Sequence, residues 1–287
     1  TRRAPARPGF PGRYGFGMPE GHVIHRLARE LNDTFAGRPL SVTSPQGRFA
    51  AEAALLDGAA IDHAEAWGKH LFVEFDVDRP DNIIHIHLGL IGHLRFEGPD
   101  DMAGQVRLHI TDGRTSANLR GPQWCRLITD AERSAAIAKV GEDPLRADAS
   151  PGGLVARVRR SRRPIGALLV DQGLYAGVGS IYRTETLFRL GIHPLTTGAE
   201  LDAGTIDAIW DDLRELMRDG VRVGRIDTVR PEHTPEAMGR EPRADDHGGE
   251  VYVYRRTGQP CHVCGTPVAE TPIEARRVFY CPTCQPV

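Results

Sequence analysis

Two groups of residues in this chain have types and spacing suited to chemistry. They are a proline followed by a glutamate in Met18-Pro19-Glu20-Gly21-His22, and four cysteines near the far end. If translation begins at Met18 and that methionine is removed, Pro19 carries a free secondary amine. Such an amine attacks an aldehyde carbon and forms an iminium, as lysine amines do with carbonyl substrates. If the chain continues upstream, the same nitrogen is an inert amide, and Pro19 is a turn residue at the start of a helix.

Only two of the 36 basic residues are lysines, Lys69 and Lys139, so arginine supplies the general surface charge. A lysine in such a chain suggests a need for a compact amine that can titrate or form a Schiff base. Lys69, in Trp67-Gly68-Lys69-His70-Leu71-Phe72-Val73-Glu74-Phe75, is therefore a candidate; the competing reading is an ordinary edge-strand lysine. Cys261-x2-Cys264 and Cys281-x2-Cys284 are separated by 16 residues, the spacing of a four-thiolate zinc site. A disulfide framework suits short secreted chains, and no signal peptide is visible, so one structural zinc on a β-hairpin is favoured. Cys125 is left over and reads as a small buried apolar residue.

The elements that must position these groups follow from composition and pattern. With 287 residues, 40% hydrophobic and 26% charged, the chain has room for two or three globular units. No apolar run is long enough for a membrane span, so no membrane partner is expected. Residues 1–17, rich in Arg, Pro and Gly, read as a disordered extension, a tag or a misplaced start. Net charge −2 and a pI of 6.6 exclude a globally basic nucleic-acid binder and leave room only for a local patch.

After Pro19, Val23, Ile24, Leu27, Leu31 and Phe35 share one helical face. Short strands follow up to residue 128, including 71–75, 83–88 and 106–110, with turns between them; this is a β-sandwich pattern. Helices are predicted over 130–140, 151–160, 164–172, 180–190 and 202–219. The units expected are 18–129 (sandwich), 130–230 (helical), 231–250 (a polar, flexible loop) and 251–287 (the cysteine hairpin). His85 and His87 fall on one strand face and suit cross-strand packing better than a metal.

Two features point to DNA. Arg157, Arg159, Arg160, Arg162 and Arg163 crowd into seven residues, enough to meet several phosphates or to form a solvated basic face. The glycine turn in Asp171-Gln172-Gly173-Leu174-Tyr175-Ala176-Gly177-Val178-Gly179-Ser180-Ile181-Tyr182 joins two helices, and the amides opening the second form an anion site that a phosphate can approach. No βαβ unit surrounds Gly177-x-Gly179, which argues against a dinucleotide fold.

These motifs, with His87-Leu88-Gly89-Leu90-Ile91-Gly92 and Leu190-Gly191-Ile192-His193-Pro194, occur in an order that resembles the formamidopyrimidine-DNA glycosylase and endonuclease VIII family of base-excision repair. The resemblance spans residues 18–287. It implies an α+β, two-lobed fold: a β-sandwich with a leading helix, a helix-two-turns-helix lobe, and a C-terminal four-cysteine zinc-finger hairpin. It also implies a monomer in the bacterial cytoplasm, on the nucleoid, acting on damaged double-stranded or single-stranded DNA. By matched position Pro19 is the nucleophile, Glu20 the acid and base, Lys69 a contact to the lesion-strand phosphate and sugar, and Arg276 the finger arginine on phosphate. Arg120, Gly177, Gly179 and Ser180 complete the expected DNA contacts; the family usually has Asn where Ser180 stands.

The implied reaction displaces the base at C1′ with the Pro19 amine, then cuts the strand by β- and δ-elimination. The opening motif is more like endonuclease VIII than the oxoguanine enzymes, and Leu119-Arg120-Gly121-Pro122 lacks their paired Arg and Phe wedge. Leu90 and Ile91 would fill the void left by an extruded base. Oxidised pyrimidines and abasic sites are thus the expected substrates, with oxidised purines as the alternative. Two further readings stand beside this one: a non-catalytic, zinc-stabilised damaged-DNA binder, and an enzyme in which Lys69 forms the Schiff base.

Overall fold

The computed structural model describes residues 19–99, 101–244 and 249–287; Met18 and the 1–17 extension lie outside them. In chain order the elements are α1 (Gly21–Phe35), β1 (Ser41–Thr43), α2 (Ala50–Ala54), β2 (Ala60–Trp67), β3 (His70–Asp76), β4 (Ile83–His87), β5 (His93–Glu97), β6 (Val106–Thr111), β7 (Ser116–Arg120) and β8 (Trp124–Ile128). There follow α3 (Asp130–Ile137), α4 (Gly152–Arg159), α5 (Ile165–Leu168), α6 (Ser180–Arg189), α7 (Ala203–Val223), α8 (Pro235–Met238), β9 (Ala269–Ile273) and β10 (Arg276–Tyr280).

The first eight strands form two antiparallel sheets, ordered β2-β3-β4-β8 and β1-β6-β7-β5. Alternation along each strand sends Leu71, Val73, Ile84 and Ile86 of one sheet, and Leu108, Ile110 and Leu119 of the other, into a common core. The apolar stripe of α1 joins the same core through Ile24, Leu27, Leu31 and Phe35. Cys125 lies there too, and burial pushes its thiol up to about 12, so it packs as an inert apolar residue. On the other face of the first sheet His85 packs with its neighbours: its Nε2 is 2.9 Å from His70 Nδ1, while His87 stacks on Trp124 at 4.5 Å.

The second lobe is helical, with Trp210, Tyr175, Tyr182 and Leu213 buried at its centre. Asp202 caps α7 by accepting from Thr205 N at 2.7 Å, and Gly224 ends that helix in the left-handed conformation. The segment predicted as helical over 164–172 keeps only the short α5. Within 231–250 two short helical turns form, Pro231–His233 and Pro235–Met238. Among the described residues no helix is long and apolar enough to cross a membrane.

Candidate active site

Three segments that are far apart in sequence cross at glycines. An ideal Cβ on Gly21 would stand 2.9 Å from Gly177 Cα, and one on Gly68 would stand 3.0 Å from Gly177 N. Any side chain there would force the segments apart, so the start of α1, the β2–β3 hairpin and the turn before α6 meet backbone to backbone. Gly21 N donates to Gly177 O at 2.8 Å across this junction. The consequence is that Pro19, Lys69 and Ser180 line one cleft of about 890 Å³ together with Leu90, Ile91 and Arg276.

Glu20 explains the glycine turn. Its carboxylate is 1% exposed and accepts from Gly179 N at 3.0 Å, Ile181 N at 2.8 Å and Tyr182 N at 3.4 Å. The anion at the N-terminus of α6 is therefore a side chain of the protein itself, where sequence reasoning expected a phosphate. Gly177 likewise serves the backbone crossing, and Gly179 makes room for Glu20. Burial raises the Glu20 carboxyl above its ordinary value, against the lowering pull of Lys69 and the three amides. Burial also pushes the Lys69 amine below its ordinary value; Glu20 pulls it up and Arg276 presses it down.

Other expected residues divide. Leu90 and Ile91 project as exposed apolar side chains, 72% and 79% accessible. Arg276 is exposed at the start of β10, and Ser180 faces the cleft. Arg120 does not join the set: its guanidinium is held by Glu97 at 2.8 Å and by the Ala103 carbonyl at 2.8 Å. Of the basic run, Arg163 is committed to Asp171 at 2.8 Å and Glu274 at 2.9 Å, docking the β9–β10 hairpin onto the helical lobe.

The cysteine ligand atoms lie within 4.8 Å of one another, with Cys264–Cys281 at 3.4 Å, Cys264–Cys284 at 3.5 Å and Cys261–Cys284 at 3.9 Å. Tetrahedral zinc with thiolates at about 2.3 Å requires sulfur–sulfur edges of about 3.8 Å, so the four sulfurs fit one such ion. Gln285 secures the cluster, accepting from Cys281 N at 2.9 Å and donating to Ile192 O at 2.8 Å.

Comparisons with known proteins agree with this geometry. Residues 18–121 match the formamidopyrimidine-DNA glycosylase N-terminal domain, and residues 140–231 match the formamidopyrimidine-DNA glycosylase H2TH domain. Endonuclease 8 1 of Mycobacterium tuberculosis is 47% identical over 277 residues, covering 93% of this chain and 100% of that protein. The chain belongs to the formamidopyrimidine-DNA glycosylase and endonuclease VIII family. It is a DNA glycosylase of base-excision repair, a family of glycosylase and abasic-site lyase enzymes. Formamidopyrimidine-DNA glycosylase of Geobacillus kaustophilus is 33% identical over 293 residues, covering 93% of this chain and 100% of that protein. The fold matches that of the Lactococcus lactis Fpg solved with abasic-site DNA, at TM-score 0.76 and 23% identity over 93% of this chain and all of that one.

Sequence reasoning missed the buried groups that hold this glycosylase site together. Asp143, fully buried, accepts from Gly68 N at 2.7 Å, Leu145 N at 2.9 Å and His25 Nε2 at 2.7 Å, fixing the Lys69 hairpin to α1 and to the start of the helical lobe. Glu185 accepts from the amides of Tyr252, Val253 and Tyr254 at 2.7, 3.0 and 2.8 Å. Arg183 donates to the Arg277 carbonyl at 2.9 Å and so anchors β10. Glu185 and Arg183 stand on α6 beside apolar residues, where a charge that needs buried backbone partners is the one available signal.

Proposed function

We propose that this enzyme removes oxidised pyrimidines from DNA and cleaves the resulting abasic site through an iminium on Pro19. The observation that carries the reading is the convergence of Pro19, Lys69 and Ser180, from three separate segments, on one cleft, with Glu20 buried directly behind Pro19 on the amides of Gly179 and Ile181. Once the residues before it are removed, the Pro19 amine displaces the base at C1′. Glu20 is suited to give a proton to the opening sugar, because burial favours its neutral form. The carboxylate left behind is stabilised by the three amides at the head of α6. Lys69 supplies positive charge beside the reacting centre. The iminium then acidifies the C2′ proton, and β- followed by δ-elimination cuts on both sides of the sugar.

Higher identity to Endonuclease 8 1 than to the formamidopyrimidine enzyme supports the pyrimidine branch, as do the projecting Leu90 and Ile91. Zinc is the metal best suited to four thiolates; with no open position it would hold the hairpin, and with it Arg276, in place. Damaged DNA is the partner, lying along the cleft.

The test is borohydride trapping on duplex DNA with one abasic site, using protein that begins at Pro19 beside the full chain. A covalent adduct from the trimmed protein alone is expected. Equal adducts from full chain with Thr1 verified by intact mass would move the Schiff base to Lys69. DNA binding without any adduct would favour a non-catalytic binder.

A further inference from the structure

Two adjacent arginines before the finger, Arg255 and Arg256, are indistinguishable by type and opposite in fate. Arg256 is 6% exposed and donates to the carbonyls of Tyr252 and Pro260 and to the Gln259 side chain. Arg255 is exposed and makes no ion pair among the described residues. Its guanidinium carbon lies 5.5 Å from the Tyr254 ring centroid, and the residue lines the same cleft as Pro19, Ser180 and Arg276.

The backbone makes Arg255 unusual. Arg256 N donates to Val253 O at 3.0 Å, closing a turn in which Arg255 is the third residue with φ 56°. That position favours glycine or asparagine, because a side chain there crowds its own carbonyl. The turn is imposed from below: Glu185 gathers the three preceding amides, and Arg256 must fold back inside. A glycine would satisfy the fold at lower cost. A strained, solvent-facing arginine on a cleft wall is therefore explained by what it meets there.

We propose that Arg255 is a DNA-backbone contact, its planar guanidinium taking a phosphate of the strand held in the cleft. The proposal rests on the glycosylase reading above. Phosphate is favoured over a base edge because Arg276 and Arg277 line the same cleft and build a shared positive field, and a guanidinium fork matches phosphate oxygens in pairs.

The experiment compares wild type, Arg255→Gly and Arg255→Lys for melting temperature and for binding to an abasic-analogue duplex and its undamaged counterpart across a salt series. Arg255→Gly is expected to raise the melting temperature by about 2 °C through relief of the left-handed strain. The same variant is expected to weaken both duplexes about fivefold to tenfold and to reduce the salt slope by about 1, with Arg255→Lys keeping the slope. Unchanged affinity and slope in Arg255→Gly would overturn the assignment, as would a loss confined to the damaged duplex with the slope intact. Failure of the wild type itself to bind either duplex would instead overturn the glycosylase reading on which the proposal rests.

Discussion

Gly179 lacks a side chain because Glu20 occupies the space: a Cβ there would lie 2.3 Å from the Glu20 carboxyl carbon. The acid before α1 and the glycine before α6 thus form a single feature, 159 residues apart in sequence. Burial raises the proton affinity of that carboxylate, while the helix amides orient it and, with Lys69, pull its proton affinity down.

Gly179→Ala should therefore act as a catalytic lesion without touching substrate. Displacing Glu20 is expected to slow base excision by about 100-fold or more, the usual scale of a lost acid–base group. Single-turnover assays on a lesion duplex check this, and a variant with normal rate would show that Glu20 needs no such seat.

Asp143→Ala is expected to cost about 3 kcal/mol or more, since Gly68 N and Leu145 N lose their acceptor in a buried site. Urea unfolding measures that loss. Loosening the Lys69 hairpin should also slow borohydride trapping, whereas Asp143→Asn, which keeps a carbonyl acceptor, should recover part of both.

Replacing Leu90 and Ile91 together with alanine separates extrusion of the base from the later chemistry. Both are surface residues, so stability should move by no more than about 0.5 kcal/mol. Excision of a paired lesion base is expected to fall about tenfold, because unstacking costs a few kcal/mol without a wedge. Incision at a preformed abasic site should change little; equal losses in both assays would refute the wedge role.

Stability should fall on acidification in a way traceable to His22. Its ring is buried edge-on to Tyr182 at 5.3 Å, and burial lowers it to about 3. The unfolded chain takes up a proton below pH about 6.5 while the folded chain does not, so its contribution is complete above that pH and is lost as pH falls toward 3. His22→Phe should reduce the slope of stability against pH by up to about 1.4 kcal/mol per unit between pH 6.5 and 4.5. An unchanged slope in denaturation series would assign the acid sensitivity to other groups, such as His70 and His85, which burial lowers to about 4 and 3.

Metal content gives an independent check on the cysteine cluster. One zinc per chain is expected, released as a mercurial titrates Cys261, Cys264, Cys281 and Cys284. Removal should unfold the β9–β10 hairpin and abolish DNA affinity, because Arg276 loses its support. Full affinity in metal-free protein would mean that the hairpin stands without the ion, on the Arg163–Glu274 and Arg183 contacts.

The amino-acid sequence determined on its own whatever depends on local period and spacing. The α1 stripe from Ile24 to Phe35, the strands around Phe72 and Ile84, the long α7 and the two Cys-x2-Cys pairs all follow from repeats of 3.6, 2 or a fixed gap, which neighbouring residues impose on one another. The motif order from Pro19 to Cys284 named the family for the same reason. Only the tertiary structure decided which charges are spent and which are free. By sequence Arg120 is an expected DNA contact and Arg163 belongs to a basic run suited to phosphates or to a solvated face; in the fold Arg120 is paired with Glu97, and Arg163 with Asp171 and Glu274. Arg255 and Arg256 are neighbours of one residue type, and a turn exposes the first and buries the second. Pairing of charges across long sequence separations depends on where backbones cross, here at Gly21, Gly68 and Gly177, and no local pattern encodes that distance.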